Sequence, residues 1–93
     1  MFVYILATKR HGTLYIGVTN DLQRRLQEHR DGRNAGFTKR YRVHRLVYFE
    51  IHGSPSDAIM RETHIKGWRR DWKLNLIERD NPDWNELQAP MAY

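Results

Sequence analysis

Two short apolar runs with four residues between them restrict what the start of this chain can become. "FVYILAT" (Phe2–Thr8) and "TLYIGVT" (Thr13–Thr19) are rich in β-branched and aromatic residues, and "KRHG" between them reads as a hairpin turn. With His11 and Gly12 as a two-residue loop, Tyr4 opposes Thr19, Leu6 opposes Gly17, and Gly12 is expected at positive φ. Tyr4, Leu6 and Thr8 then share a face with Tyr15, Gly17 and Thr19. A slip of one residue would put the two tyrosines on opposite faces.

The next segment, "NDLQRRLQEHRDG", predicts a helix. Asn20 is the expected N-cap, Gln23 completes a capping-box pattern, and Gly32 supplies the stop. Leu22, Arg25, Leu26 and His29 fall on one stripe of that helix, so an arginine and a histidine accompany the leucines inward, while Arg24 points out. "RLVYFEIH" predicts a third strand with Val47, Phe49 and Ile51 on one face. "SPSD" opens a second helical stretch, with Ser54 as cap, Pro55 in the first turn and Asp57 at the positive dipole end. It runs through "AIMRETHIKGWRRDWKLNLIE", with Gly67 as the point where it bends or breaks, and "NPDW" ends it. Trp84 and Leu87 are expected to pin the tail. The order β-β-α-β-α-α implies an α+β fold: a small three-stranded antiparallel or mixed sheet flanked by helices.

Ninety-three residues fit one domain, 1–93, with 81–93 as a C-terminal tail. There is no cysteine, and the longest apolar run, Met1–Ala7, is too short to span a bilayer and lacks a basic leader. A cytoplasmic protein without membrane attachment is therefore expected. The net charge of +5 and pI near 9.9 favour polyanionic partners. Between Gly32 and Phe49 there is no acidic residue, whereas Lys39, Arg40 and Arg42 gather around Phe37 and Tyr41. Such a segment can pair with phosphates and stack bases, or simply be a solvated loop. Lys66, Arg69 and Arg70 on the later helix form a second basic group.

Glu62 is the other polar residue on an apolar face, with Ile59, Ile65 and Trp72 as the expected buried stripe. A buried carboxylate needs a partner or a metal, and Lys66 four residues on is the simplest partner. Taken singly, Tyr4 and Tyr15 read as core residues, His29 as a cation facing the helix dipole, and Gly17 as a bulge. Together with Arg25 and Glu62 they read as the parts for phosphodiester hydrolysis. A guanidinium neutralises charge on phosphate, a carboxylate holds a hard cation, and a phenol or imidazole moves a proton. The five histidines show no zinc-ligand spacing.

With these residues in view, the sequence resembles the GIY-YIG nuclease family in its small stand-alone form. Tyr4-Ile5-Leu6 stands at the first motif, with Val3 in place of the usual glycine, and Tyr15-Ile16-Gly17 matches the second without change. "DLQRRLQEH" and "RETHIKGWRR" match as well, so the resemblance runs from Phe2 to about Leu87. It implies a DNA endonuclease using one divalent cation, Mg²⁺ or Mn²⁺, with Glu62 as the metal ligand. It implies that Arg25 stabilises the phosphate and that Tyr15, Tyr4 and His29 handle the proton, without deciding which is the base. The "GFTKRY" and "NPDW" segments resemble a branch that cuts single strands. Single-stranded DNA is accordingly the expected partner of a monomer, with branched or flapped DNA, or an inactive binding module, as alternatives.

Overall fold

The computed structural model describes residues 1–32 and 42–90. Three strands, β1 (Phe2–Ala7), β2 (Leu14–Thr19) and β3 (Arg45–Ile51), form an antiparallel sheet in the order β2-β1-β3. Three helices complete it: α1 (Leu22–Asp31), α2 (Pro55–Gly67) and α3 (Arg70–Asp80). The central strand is buried at every position, which its uninterrupted apolar run requires.

Alternation along β1 divides the molecule into two layers. Val3, Ile5 and Ala7 pack with Ala58 and Ile65 of α2 and with Leu76 and Ile77 of α3. Phe2, Tyr4 and Leu6 pack with Leu22 and Leu26 of α1. The sheet thus lies between α1 on one side and the α2–α3 pair on the other.

The hairpin departs from the expected pairing by two residues. Tyr4 opposes Gly17 and Leu6 opposes Tyr15. The cause is a longer loop: the Thr8 amide donates to the Thr13 carbonyl at 3.1 Å, and Gly12 closes a turn onto Lys9 at 2.9 Å. A shift of two preserves the faces, so both tyrosines remain together. His11, not Gly12, takes the positive φ, at 56°. Gly12 instead allows close approach, since a Cβ there would lie 2.1 Å from Thr8 Oγ1.

Other local expectations need correction. The N-cap of α1 is Asp21, whose carboxylate accepts from the Arg24 amide at 3.2 Å; Asn20 lies one residue too early. Gly32 ends the helix at φ 71°, as the sequence indicated. A bulge between Ile5 and Leu6 on the β1–β3 ladder sends Val47 and Tyr48 to one face and Leu46 and Phe49 to the other. Val47 and Phe49 are therefore separated, and Ile51 is exposed. Gly17 sits in an unbroken ladder and marks no bulge.

Ser54 caps α2, with Pro55 in its first turn, and the helix stops at Gly67, where Trp68 turns to extended backbone. That break takes Trp72 out of the stripe of α2. The inward residues are Ala58 and Ile65, whereas Ile59 and Trp72 are about half exposed. Arg61 anchors α2 to β3 through two bonds to Glu50, of 2.8 and 3.2 Å.

After α3 the chain passes around the outer edge of β3. Trp84 is completely buried on the α2–α3 side and donates from its indole to Glu78 at 3.0 Å. Asn81 donates to the Val47 and Asn85 carbonyls. Leu87 then donates its amide to the Leu46 carbonyl at 2.8 Å and packs on the α1 side. Both expected anchors hold the tail, one on each face.

Candidate active site

Register and helix phase together bring four of the predicted side chains into one place. Tyr4 and Tyr15 project from the sheet face that α1 covers, with ring centroids 6.2 Å apart. His29, in the last turn of α1, lies 5.9 Å from the Tyr4 ring and 5.1 Å from the Tyr15 ring. Its Nε2 is 3.0 Å from the Tyr4 hydroxyl, in a buried hydrogen bond. Gly17 makes room for this: a Cβ there would lie 2.5 Å from the Tyr4 hydroxyl oxygen. The glycine of the second motif is needed for the space above it rather than for a backbone angle.

The surroundings fix the protonation of the pair. Burial, reinforced by the neighbouring Tyr15, raises the Tyr4 pKa well above the usual phenol range, so Tyr4 keeps its proton. Burial, then the adjacent Arg25 guanidinium, lowers the His29 pKa, so the imidazole is neutral near pH 7. A neutral imidazole whose Nε2 lacks a proton accepts the Tyr4 O–H, while the Arg25 guanidinium faces the same phenol oxygen.

Arg25 stands at the margin of this group. Nη1 donates to Glu28 at 3.3 Å, and the guanidinium feels the Tyr4 and Tyr15 hydroxyls. Its Nε is buried and has no hydrogen-bond acceptor. An unpaired buried donor is costly, of the order of 1–3 kcal/mol. Arg24 is exposed, as its phase predicts.

Glu62 does not share that interior. Its helix packs on the opposite sheet face, which leaves Tyr4, Tyr15, Arg25 and His29 together and Glu62 on the other layer. The layers meet along the edge of β2. Glu62 follows Ala58 by four residues and precedes Ile65 by three, on the inward stripe of α2. Its side chain is 15% exposed and pairs with Lys66 at 3.0 Å. Lys66 in turn lines a recess of about 250 Å³ together with Lys73, Leu14, Tyr15 and Ile16. Tyr15 and Lys66, the partner of Glu62, therefore border the same recess beside β2. Among the described residues no three His, Cys, Asp or Glu side chains gather as a metal cage.

The expected DNA contacts are dispersed. Phe37, Lys39, Arg40 and Tyr41 lie outside the described residues; Arg42 is exposed with φ 55°. Lys66 and Arg69 are exposed, whereas Arg70 donates to the His11 and Gly12 carbonyls at 2.7 Å each and holds the hairpin loop. Lys73 escaped the sequence reading, because the helix break that turns it toward β2 cannot be phased from α2.

Comparison with known proteins agrees with this geometry. The model of the GIY-YIG catalytic domain matches residues 1–75. A UPF0213 protein of Staphylococcus saprophyticus is 40% identical over 76 residues, 82% of this chain and 92% of the relative. A UPF0213 protein of Staphylococcus aureus is 40% identical over 77 residues, 83% of this chain and 93% of the relative. The solution NMR structure of the UPF0213 protein BH0048 from Bacillus halodurans aligns with a TM-score of 0.57 at 29% identity, covering 91% of this chain and 89% of that one. The matched domain is a nuclease domain acting on DNA, and its members generally use divalent metal ions. With two phenols, an imidazole and an arginine assembled from its two motifs and first helix, the chain belongs to the GIY-YIG family of nuclease domains.

Proposed function

We propose that this chain is a divalent-metal-dependent DNA endonuclease that prefers single-stranded DNA, with Tyr4, Tyr15, Arg25, His29 and Glu62 as its working residues. The observation that carries this reading is the unpaired Nε of Arg25 beside two phenols and a neutral imidazole. A phosphate oxygen is the acceptor that would satisfy it while gaining a charge-assisted bond. Arg25 then orients the phosphodiester and stabilises charge as it grows on phosphorus. Tyr15, half-buried where Tyr4 is fully buried, is the phenol that an attacking water can reach, and it accepts the water's proton as it gives its own to neutral His29. Tyr15 completes the cage around the imidazole and excludes solvent from it.

Glu62 suits a hard cation. It offers one oxygen-donor carboxylate, of which Lys66 engages Oε1, and the chain has no cysteine to supply a thiolate. Such a donor set fits Mg²⁺ or Mn²⁺, which retain several waters, better than zinc. When bound, the cation supplies electrostatic stabilisation of the leaving oxygen. The whole chain acts as one domain with residues 81–93 as its tail, and a cytoplasmic monomer fits the same reading. The acid-free segment with Phe37, Lys39, Arg40, Tyr41 and Arg42 adds affinity, as do Lys66 and Arg69. Purified protein should cleave a labelled single-stranded oligonucleotide with Mg²⁺ or Mn²⁺ and not with EDTA. It should cleave the same strand more slowly when annealed to its complement, or within a flap. Absence of metal-dependent cleavage on all three substrates would overturn the proposal in favour of a binding module.

A further inference from the structure

Beside the four-residue group, the edge of β2 carries a second feature. The recess there has Leu14, Tyr15 and Ile16 on its strand side and Lys66 and Lys73 on its helix side. Lys73 is only partly exposed and forms no ion pair among the described residues. A partly buried cation with no ion-pair partner among the described residues favours an anionic ligand, although Glu62 stands beside the neighbouring Lys66. One residue before it stands Trp72, 50% exposed on a polar helix surface. Its ring meets Trp68 edge-to-face at 6.1 Å, and the Arg69 guanidinium lies over it at 5.2 Å. Trp68 is itself covered by Arg61 at 5.1 Å, so cation and indole alternate through the corner between α2 and α3. An exposed tryptophan packed against a second indole and an arginine offers flat π-surface next to positive charge, the combination that unpaired bases and their phosphates require.

We infer that this corner is a strand-binding subsite: Lys66 and Lys73 take the phosphate next to the one at Arg25, and Trp72 with Arg69 stacks the base attached to it. The partner is a single strand, because a base inside a duplex has no free face to offer Trp72. Tyr15 connects the two sites, since its ring belongs to the four-residue group and the residue is also among those lining the recess. The subsite rests on the nuclease reading for its orientation, and it deepens that reading by naming what grips the substrate beyond the reacting phosphate.

The test measures binding in EDTA, where no metal-dependent cutting occurs. A thymidine oligonucleotide and an abasic strand of equal length are titrated into the parent protein, Trp72→Leu, Lys73→Gln and the charge control Arg79→Gln. Indole fluorescence and anisotropy of a labelled strand are the readouts. Trp72 quenching should follow the thymidine strand and not the abasic one. Trp72→Leu should weaken thymidine binding by roughly 5- to 150-fold, the worth of one stacked base, and leave abasic binding unchanged. Lys73→Gln should weaken both strands and flatten the salt dependence, whereas Arg79→Gln at the far end of α3 should do neither. Equal affinity of parent, Trp72→Leu and Lys73→Gln for the thymidine strand overturns the subsite. A parallel cleavage assay with metal separates the two ideas. Cutting by a parent whose binding ignores both substitutions removes the subsite alone, and strand binding of the expected pattern without any cutting removes the nuclease reading alone.

Discussion

Replacing Gly17 by alanine tests the core of the site through a single methyl group. A Cβ at Gly17 would lie 2.5 Å from the Tyr4 oxygen, 2.6 Å from Cζ and 3.0 Å from Cε1. Carbon contacts settle near 3.5–4.0 Å, so the ring must retreat by about 1 Å. Tyr4 is fully buried, with His29 and Tyr15 against it, and has nowhere to go without moving them. Overpacking of this kind costs about 1–3 kcal/mol. Stretching the 3.0 Å Tyr4–His29 bond by the same distance breaks it. The buried groups left unpaired add about 1–3 kcal/mol. Alanine recovers roughly 0.5–1 kcal/mol through lower backbone freedom in a strand. The net expectation is a loss of about 2–4 kcal/mol, read as a lower urea midpoint at unchanged slope. Turnover of the protein that remains folded should fall by about 10²-fold, because a displacement of 1 Å disrupts the reactive geometry. In a Tyr4→Leu background the same alanine should cost under about 1 kcal/mol, since the obstructing ring is gone. Full additivity of the two substitutions, or a Gly17→Ala protein of parental stability, would refute the account of why this position is glycine.

Other residues yield shorter predictions. Arg25→Ala should reduce turnover by roughly 10²- to 10³-fold, about 3–4 kcal/mol, while Arg24→Ala, on the exposed face, should lose far less; equal losses in folded proteins would contradict the assigned roles. Glu62→Gln should keep strand binding but abolish cleavage, and calorimetry should detect no Mn²⁺ uptake at concentrations that saturate the parent; cleavage at the parental rate would remove Glu62 as the metal ligand. The lowered His29 pKa has a definite sign: below the ordinary value of 6.5 the unfolded chain binds a proton that the folded chain resists. Stability from this group is therefore complete above that value and is lost as pH falls toward the lowered folded pKa. Urea midpoints from about pH 8 to about pH 5 should decline more steeply for the parent than for His29→Gln; parallel profiles would contradict a neutral buried imidazole.

Much of this architecture was legible because its signals are local. Alternation in β1 and the stripe of Leu22, Arg25, Leu26 and His29 depend only on neighbours a few residues apart, and both tyrosines stayed on the face assigned to them. Errors arose where a local choice had a close competitor. Asn20 and Asp21 are both good caps, and only the geometry of the Thr19 turn, whose hydroxyl accepts the Asp21 amide at 3.1 Å, decides between them. The bulge at Val47 depends on which residue of β3 meets Leu6, a choice made across the sheet and absent from strand periodicity. Likewise nothing in Glu62 or its neighbours tells which layer α2 joins. The letters placed the carboxylate on an inward stripe, and the connection between β3 and α2 determined that this inward side was not the one facing α1.

The tail that rounds β3 has a consequence for how the protein is made. The outer rim of β3 offers unsatisfied main-chain groups until Leu87 reaches Leu46, forty-one positions earlier in the chain. During synthesis all three strands can pair while the residues that seal this rim are still inside the ribosome. For that interval the nascent sheet presents an open template to any neighbouring extended segment, including its counterpart on an adjacent polysome chain. Trp84 then acts as a latch: its burial on the α2–α3 side places Leu87 at the rim, and Asn81 and Arg45 hold the crossing through the Val47 and Trp84 carbonyls. Variants that slow this latching should first lose soluble yield in rapid expression, well before they show any change in the properties of the purified protein.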